Sequence, residues 1–301
     1  MKIKNTRIRA LVLFSGGLDS ILVVKILQKQ NIDVAGISFV SYFFKENFAK
    51  KAAKNLNIKF KIVDFSDEHL TMVKNPHYGY GKAINPCIDC HILMLKKAKG
   101  IMKKGKFDFV ATGEVLGQRP MSQNKQTLEL IKKESSLKDY LLRPLSAKLL
   151  EPTIMEKQGL IDKNKLLDIS GRSRKKQIAL SKKWGIKKYP SPAGGCCLTD
   201  LQFAKRFREM LKYWPNCEGN DVKLLKLGRH FWKKENLIIV GRNEQNNKEI
   251  KKASIKGDIL IEPKAFPGPT IIIRSKTKIL KESLIKAKEL MIRYSQLKDS
   301  H

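Results

Sequence analysis

The sequence predicts an α/β protein: a parallel-sheet domain, a helical extension and a small α+β C-terminal domain. Three observations carry this. Apolar, strand-length runs alternate with helix-length segments over residues 8–113. A Gly-Gly turn separates the first run from the first helix. Beyond about residue 221 the pattern changes to short strands and two helices.

The elements follow in order. Residues 8–14 (IRALVLF) read as a buried strand, and 18–30 as an apolar-periodic helix. A second strand spans 32–40, a helix 44–56 and a third strand 60–65. The loop 74–86 carries Pro76, Gly79, Gly81 and Pro86, and a helix then runs to about residue 104, ahead of a strand at 107–113. Alternation of this kind implies a parallel sheet covered on both faces. Ligands in such sheets sit beyond the carboxyl ends of the strands. The turn after Phe14, the loop after Val40 and the segment after Ala111 should therefore share one crevice. Residues 139–190 read as a mostly helical extension, entered through Leu141-Leu142-Arg143-Pro144-Leu145 and containing a basic helix at 175–184. Residues 188–199 form a Pro- and Gly-rich surface loop. The last part reads as strands at 222–227, 237–241, 258–261 and 270–274, with a final helix over 280–297. The expected domains are 1–145, 146–215 and 216–301.

The 301 residues suit more than one core, and 42% hydrophobic content excludes a disordered chain. A formal charge of +33 runs through the whole length and points to an anionic partner, nucleic acid above all, against the plainer reading of a lysine-rich surface. Five cysteines, Cys87, Cys90, Cys196, Cys197 and Cys217, argue against a disulfide framework. The apolar run 10–14 is too short for a signal core, and no stretch approaches the roughly 20 apolar residues of a membrane span. A cytoplasmic protein with no membrane partner is expected.

Ser15-Gly16-Gly17-Leu18-Asp19-Ser20 lies between a strand and a helix start. Two glycines let several N–H groups aim at one point, and the helix adds its positive end. This makes a nest for phosphate oxygens, with Asp19 able to hold Mg²⁺ and Ser15 and Ser20 able to donate. The Lys of a Walker A loop is missing. The plainer reading is a Gly turn with a helix cap. The loop SGGLDS resembles that of the PP-loop ATP pyrophosphatases, the adenine nucleotide α-hydrolase-like fold. The resemblance implies ATP cleaved between its α and β phosphates, AMP transferred to a carbonyl-type oxygen, and that oxygen displaced by nitrogen or sulfur.

Asn85-Pro86-Cys87-Ile88-Asp89-Cys90-His91 is the second signal. Asn85 suits a helix cap and Pro86 the first helical position. Cys87 and Cys90 then share one face of the first turn, where the helix end should lower their pKa. Cys196 or Cys197 would be a third partner. C-x-x-C-H also matches haem attachment, which the absence of an export signal sets aside. Zinc held by the cysteines, with or without His91, stays open, as do inert core cysteines. So do two forms of sulfur chemistry, a cysteine persulfide and a 4Fe-4S cluster on three thiolates.

NPCIDCH is similar to the cysteine motif of the tRNA 2-thiouridylases, whose second active-site cysteine falls where Gly-Gly-Cys-Cys-Leu stands here. Ala111-Thr112-Gly113-Glu114-Val115-Leu116-Gly117-Gln118 with Ser122-Gln123, and Leu142-Arg143-Pro144-Leu145, resemble segments of the tRNA 4-thiouridine synthetases. The resemblance implies an ATP-dependent, AMP-forming tRNA sulfurtransferase in which Gly113 and Gln118 line the ATP and uridine crevice. It favours a cluster on Cys87, Cys90 and Cys196, tRNA as partner, and a sulfur donor that is sulfide or a cysteine desulfurase relay. A homodimer stays open. The rivals are a PP-loop ligase using an amine and a non-catalytic RNA-binding protein.

Leu227-Gly228-Arg229-His230-Phe231 and Ile238 to Asn246 resemble the RNA-binding module of NFACT-type proteins. Arg229, Arg242 and Lys233 around a His and aromatics suit phosphate contacts and stacking. Arg229 and Arg242 are the expected RNA-binding residues.

Overall fold

The computed structural model describes residues 7–46, 48–190 and 196–295. The chain divides into two compact units, with the boundary between Cys196 and Cys197.

The first unit is built on strands β1 (Arg9–Leu13), β2 (Asp33–Val40), β3 (Lys59–Asp64), β4 (Phe109–Thr112) and β5 (Leu141–Leu142). They form one sheet in the order β3-β2-β1-β4-β5, and every pair is parallel. Chain progression reverses between β1 and β4, so the crevice beyond their carboxyl ends is the switch point at which such sheets bind ligands. Alternation along β1 divides the interior. Ala10, Val12 and Phe14 face one apolar layer, and Leu11 faces the other.

Around the sheet lie α1 (Leu18–Gln28), α2 (Ala49–Asn55), α3 (Ser66–Lys74), α4 (Cys87–Lys104), α5 (Lys125–Glu134), α6 (Ile154–Lys157) and α7 (Lys175–Lys183). The helix expected from residue 44 begins at Ala49. Ser41 and Phe44 pair in a tight turn instead, with Ser41 Oγ accepting from Phe43 N at 3.1 Å. Helices α3 and α5 were not expected. Each is short and buries only three side chains, so its apolar face is a weak signal. Asn124 caps α5 by accepting from Thr127 N at 2.8 Å.

The segment expected to be mostly helical includes β5 near its start and holds two α-helices, α6 and α7, joined by turns and short 3-10 segments. Its apolar residues Met155, Ile161, Leu166 and Ile169 join the same core as α1. Tertiary packing, not helix propensity, orders it. Backbone bonds lay it against the sheet domain: Leu167 N donates to Pro144 O at 2.9 Å, Ile169 N to Leu145 O at 2.8 Å, and Gly171 N to Leu116 O at 2.7 Å. The buried Ser146 hydroxyl staples the three segments, accepting from Leu116 N at 2.9 Å and donating to Ile169 O at 2.7 Å. Residues 191–195 of the expected Pro- and Gly-rich loop lie outside the described residues.

The second unit holds α8 (Leu201–Tyr213), α9 (Gly219–Leu224), β6 (Arg229–Lys233), β7 (Asn236–Val240), α10 (Glu244–Ala253), β8 (Ile259–Ile261), β9 (Ile271–Ser275) and α11 (Lys281–Tyr294). Its sheet is antiparallel throughout, in the order β6-β7-β9-β8. The strand expected at 222–227 is instead α9 and the turn after it. Glu218 and Asp221 close a capping box there, which starts a helix where leucine content alone suggests a strand. Arg274 is buried in the centre, paired with Asp258 at 2.7 Å and Asp221 at 3.3 Å. The end of the final helix expected beyond residue 295 lies outside the described residues.

Candidate functional site

The loop 15–20 leaves β1 and turns into α1. Phe14 N still donates to Ile37 O at 2.7 Å, so the chain stays in the sheet until the turn. Gly16 then takes φ +73°, a left-handed angle that glycine adopts without a Cβ penalty. Ser15 Oγ accepts from Gly17 N at 3.3 Å, and Ser20 Oγ donates to Gly17 O at 2.8 Å. Leu18 is 1% exposed and anchors the loop in the core, so only its backbone faces the nest. Gly113, at the end of β4, lies close enough that a Cβ there would meet the Asp19 carbonyl carbon and Ser20 nitrogen at 3.0 Å.

Asp19 points into the crevice. Gln118 Nε2 donates to its Oδ2 at 3.3 Å, and Arg174 Nη2 stands 3.7 Å from its Oδ1. Arg174 comes from the residue before α7, carried there by the strap that bonds Gly171 to Leu116. Asp19 Oδ1, Gln118 Oε1 and Arg174 Nε are buried without a hydrogen-bond partner. Buried polar atoms are normally satisfied, so three orphans around one carboxylate mark a place where a ligand supplies the missing bonds. An unsatisfied carboxylate oxygen in a phosphate nest fits a Mg²⁺ ligand.

The cysteine motif opens α4. Cys87 is the first helical residue and Pro86 the cap, one position later than the sequence suggested: Cys90 N donates to Pro86 O at 2.9 Å. Asp89 accepts from His77 N at 2.9 Å and Tyr78 N at 3.0 Å, which ties the preceding loop to the helix. The expected fall in thiol pKa is not found. Burial pushes the Cys87 thiol up, against the opposing pull of Arg119 and Asn85. Burial pushes Cys90 well up, and Cys196, Cys87 and Asp89 add to it. Cys87 and Cys196 thus both act on Cys90. Three soft sulfur donors fit an iron–sulfur cluster or zinc by their chemistry. Among the described residues, no three His, Cys, Asp or Glu side chains are close enough to hold a metal ion.

A buried ion network joins the cysteine helix to the end of β4. Glu114 receives His91 Nδ1 at 2.7 Å, Arg143 Nε at 2.9 Å and Thr112 Oγ1 at 2.9 Å. Burial would raise its pKa, but Arg143 and His91 overcome this and hold the carboxyl well below the usual range.

The sequence reading missed Arg174, Arg119 and the role of Glu114. Arg174 and Arg119 carry no local signal, because each reaches the site only through the fold. Glu114 and Arg143 were visible inside motifs, but their pairing spans 29 residues.

In the second unit, strand alternation separates Arg229 from His230. Arg229 donates to Gly241 O at 3.4 Å and lies 4.6 Å over the Tyr294 ring. His230 faces the other way and bonds Leu224 O at 3.1 Å. Arg229 and Lys233 therefore lie on the opposite face of β6 from His230, while Arg242 acts on the histidine. Arg242 is exposed, and its charge acts on Arg206 of α8, which donates to Leu225 O at 3.0 Å. Two like charges held together, with His230 kept neutral behind them, suit an anion.

Residues 8–183 match the family described as the tRNA methyl transferase HUP domain, and residues 228–301 match the NFACT protein RNA binding domain. The tRNA-specific 2-thiouridylase MnmA of Clostridium perfringens is 27% identical over 190 residues, covering 55% of this chain and 51% of that protein. The chain spans about half the length of the curated relatives it matches. A 4-thiouridine synthetase–RNA complex with bound ATP overlays with a TM-score of 0.41 at 16% identity, covering 71% of this chain and 53% of that one. The U34-tRNA thiolase NcsA from Methanococcus maripaludis, with its 4Fe-4S cluster, overlays with a TM-score of 0.35 at 17% identity, covering 74% of each chain. No described helix is long and apolar enough to cross a membrane.

Proposed function

The chain belongs to the tRNA methyl transferase HUP domain family, and on that premise we propose that it thiolates a tRNA uridine in an ATP-dependent, AMP-forming reaction. One observation supports this above the rest. Consecutive residues reach both halves of the chemistry: Gln118 bonds Asp19 of the phosphate loop, while Arg119 acts on the Cys87 thiol.

In this reading the Ser15–Ser20 backbone receives the phosphates, and Asp19 would hold Mg²⁺. Gly113 allows the end of β4 to lie against the loop, where it would line the crevice. The uridine carbonyl oxygen attacks the α phosphorus, and pyrophosphate leaves towards the N-terminus of α1, whose N–H groups stabilise the developing charge. Sulfur then replaces the adenylated oxygen and AMP departs. Cys87, Cys90 and Cys196 would hold a 4Fe-4S cluster, which when bound supplies an iron position for the incoming sulfide. Zinc or a cysteine persulfide are the alternatives for the same thiols. Sulfide or a cysteine desulfurase relay supplies the sulfur. Arg229 and Arg242 of the second unit would hold tRNA phosphates.

The test is nucleoside mass spectrometry on unmodified tRNA, incubated anaerobically with iron- and sulfide-reconstituted protein, Mg²⁺, ATP and sulfide. An ATP-dependent thiouridine is expected. C87A should lose that product while still binding ATP. A triple cysteine variant that retains an ATP-dependent modification would instead support an amine-using ligase.

A further inference from the structure

Arg174 lies outside the phosphate-loop motif, yet its guanidinium reaches the loop's carboxylate. The contact is unlike the buried arginine pairs at Arg143 and Arg274. Arg143 Nε bonds Glu114 at 2.9 Å, and Arg274 Nε bonds Asp258 at 2.8 Å. Those are closed, fully matched structural pairs. Arg174 Nη2 stops 3.7 Å from Asp19 Oδ1, beyond hydrogen-bond reach, and its buried Nε has no partner. Asp19 Oδ1 and Gln118 Oε1 are equally unmatched. A guanidinium held loosely against the carboxylate of a loop that opens a helix, with unmatched polar atoms around it, suits an anion with several oxygens.

Arg174 is held there by the strap and not by its contact with Asp19. Gly117 has φ +73° and Gly171 φ +83°, and Gly171 N bonds Leu116 O at 2.7 Å. This crossing of two turns, stapled by the Ser146 hydroxyl, brings residue 174 to residue 19. The side chain is thus free to exchange one anionic partner for another.

We propose that Arg174 is a phosphate-gripping residue of this site: it rests against Asp19 while the crevice is empty and turns its guanidinium onto the nucleotide's β and γ phosphates when ATP binds. The exchange also frees the Asp19 carboxylate for a cation. The inference rests on the reading of the loop as an ATP site and adds a residue from a different part of the chain.

Calorimetric titration of the full chain with ATP, inorganic pyrophosphate and adenosine tests it, with and without Mg²⁺. R174A should weaken ATP and pyrophosphate binding by about tenfold or more, the size of one lost charge-assisted contact. Adenosine, which has no phosphate, should bind both proteins alike. R174K, which keeps the cation and the packing of the stem, should recover part of the loss. Wild-type affinity for ATP and pyrophosphate in R174A would overturn the role of Arg174 and leave the ATP reading standing. An equal loss for adenosine would mark a structural defect and overturn it as well. A wild-type chain that binds no ATP at all would overturn both.

Discussion

A Cβ placed on Gly16 would stand 2.7 Å from the backbone nitrogen of Ala49, closer than side-chain carbons approach main chain. The start of α2 packs directly on the phosphate loop, and both sides of the contact are backbone, so neither can yield. The loop's shape is held by this approach as well as by its own left-handed turn.

G16A should therefore do two kinds of damage. The positive φ alone costs about 1–2 kcal/mol for an L-residue, and the clash adds to it. The expected outcome is a lower denaturant midpoint and loss of ATP affinity, measured by urea unfolding and by calorimetry. A G16A protein with wild-type stability and affinity would show that the loop relaxes freely.

Glu114 links the cysteine helix to β4 through His91 and Arg143. Removing one partner of a buried pair typically costs about 3–5 kcal/mol. E114A should lower stability by that order and loosen the hold on His91 and the cysteine turn of α4, read out as slower thiolation at saturating ATP. The pH dependence has a definite sign. The folded pKa lies below the ordinary value of 4.5. The contribution is thus complete above about pH 4.5 and lost as pH falls below it, when the unfolded state binds the proton first. An acid-unfolding curve for E114Q should lack this part of the slope.

Two buried histidines make a second, separate pH dependence. His69 is stacked on Phe65 and bonds Ser41 Oγ at 2.9 Å, and burial lowers its pKa from 6.5 to about 4. Burial first, then Arg206 and Arg242 against a bond to Leu224, lowers His230 from 6.5 to about 3. Both are neutral when folded. Their stabilising contribution is present above pH 6.5 and falls as the unfolded state takes up protons, over pH 6.5 to 4 for His69 and 6.5 to 3 for His230. Each histidine should steepen the decline by up to about 1.4 kcal/mol per pH unit. H69F and H230Q should each flatten it, in thermal melts across that range.

Arg206 was not among the expected RNA-binding residues, yet the charge of Arg242 acts on it. R206A should weaken tRNA binding by the full chain across all sequences and reduce the slope of log affinity against log salt by about 1. Filter binding at several salt concentrations measures it. An unchanged slope would remove Arg206 from the interface.

Much of this protein was written locally. The alternation over 8–113 determined the parallel sheet, because its buried strands and helices each carry their own period. The turn at Ser15–Ser20 between β1 and α1, and the helix start carrying Cys87 and Cys90, were legible because a glycine turn and a helix start need particular residues at adjacent positions. The tertiary structure decided the rest. The extension looked helical and folded as a strap, because its apolar residues pack into the α1 core. Leucines at 222–227 entered a helix because a capping box two turns of sequence away from any strand partner nucleated it. The cysteine pKa values went up, because burial outweighed the helix end. Arg174, Arg119 and the Glu114 network reach the site from segments far apart in sequence. Their roles come from distances between side chains, and a distance between remote residues is a property of the folded chain alone.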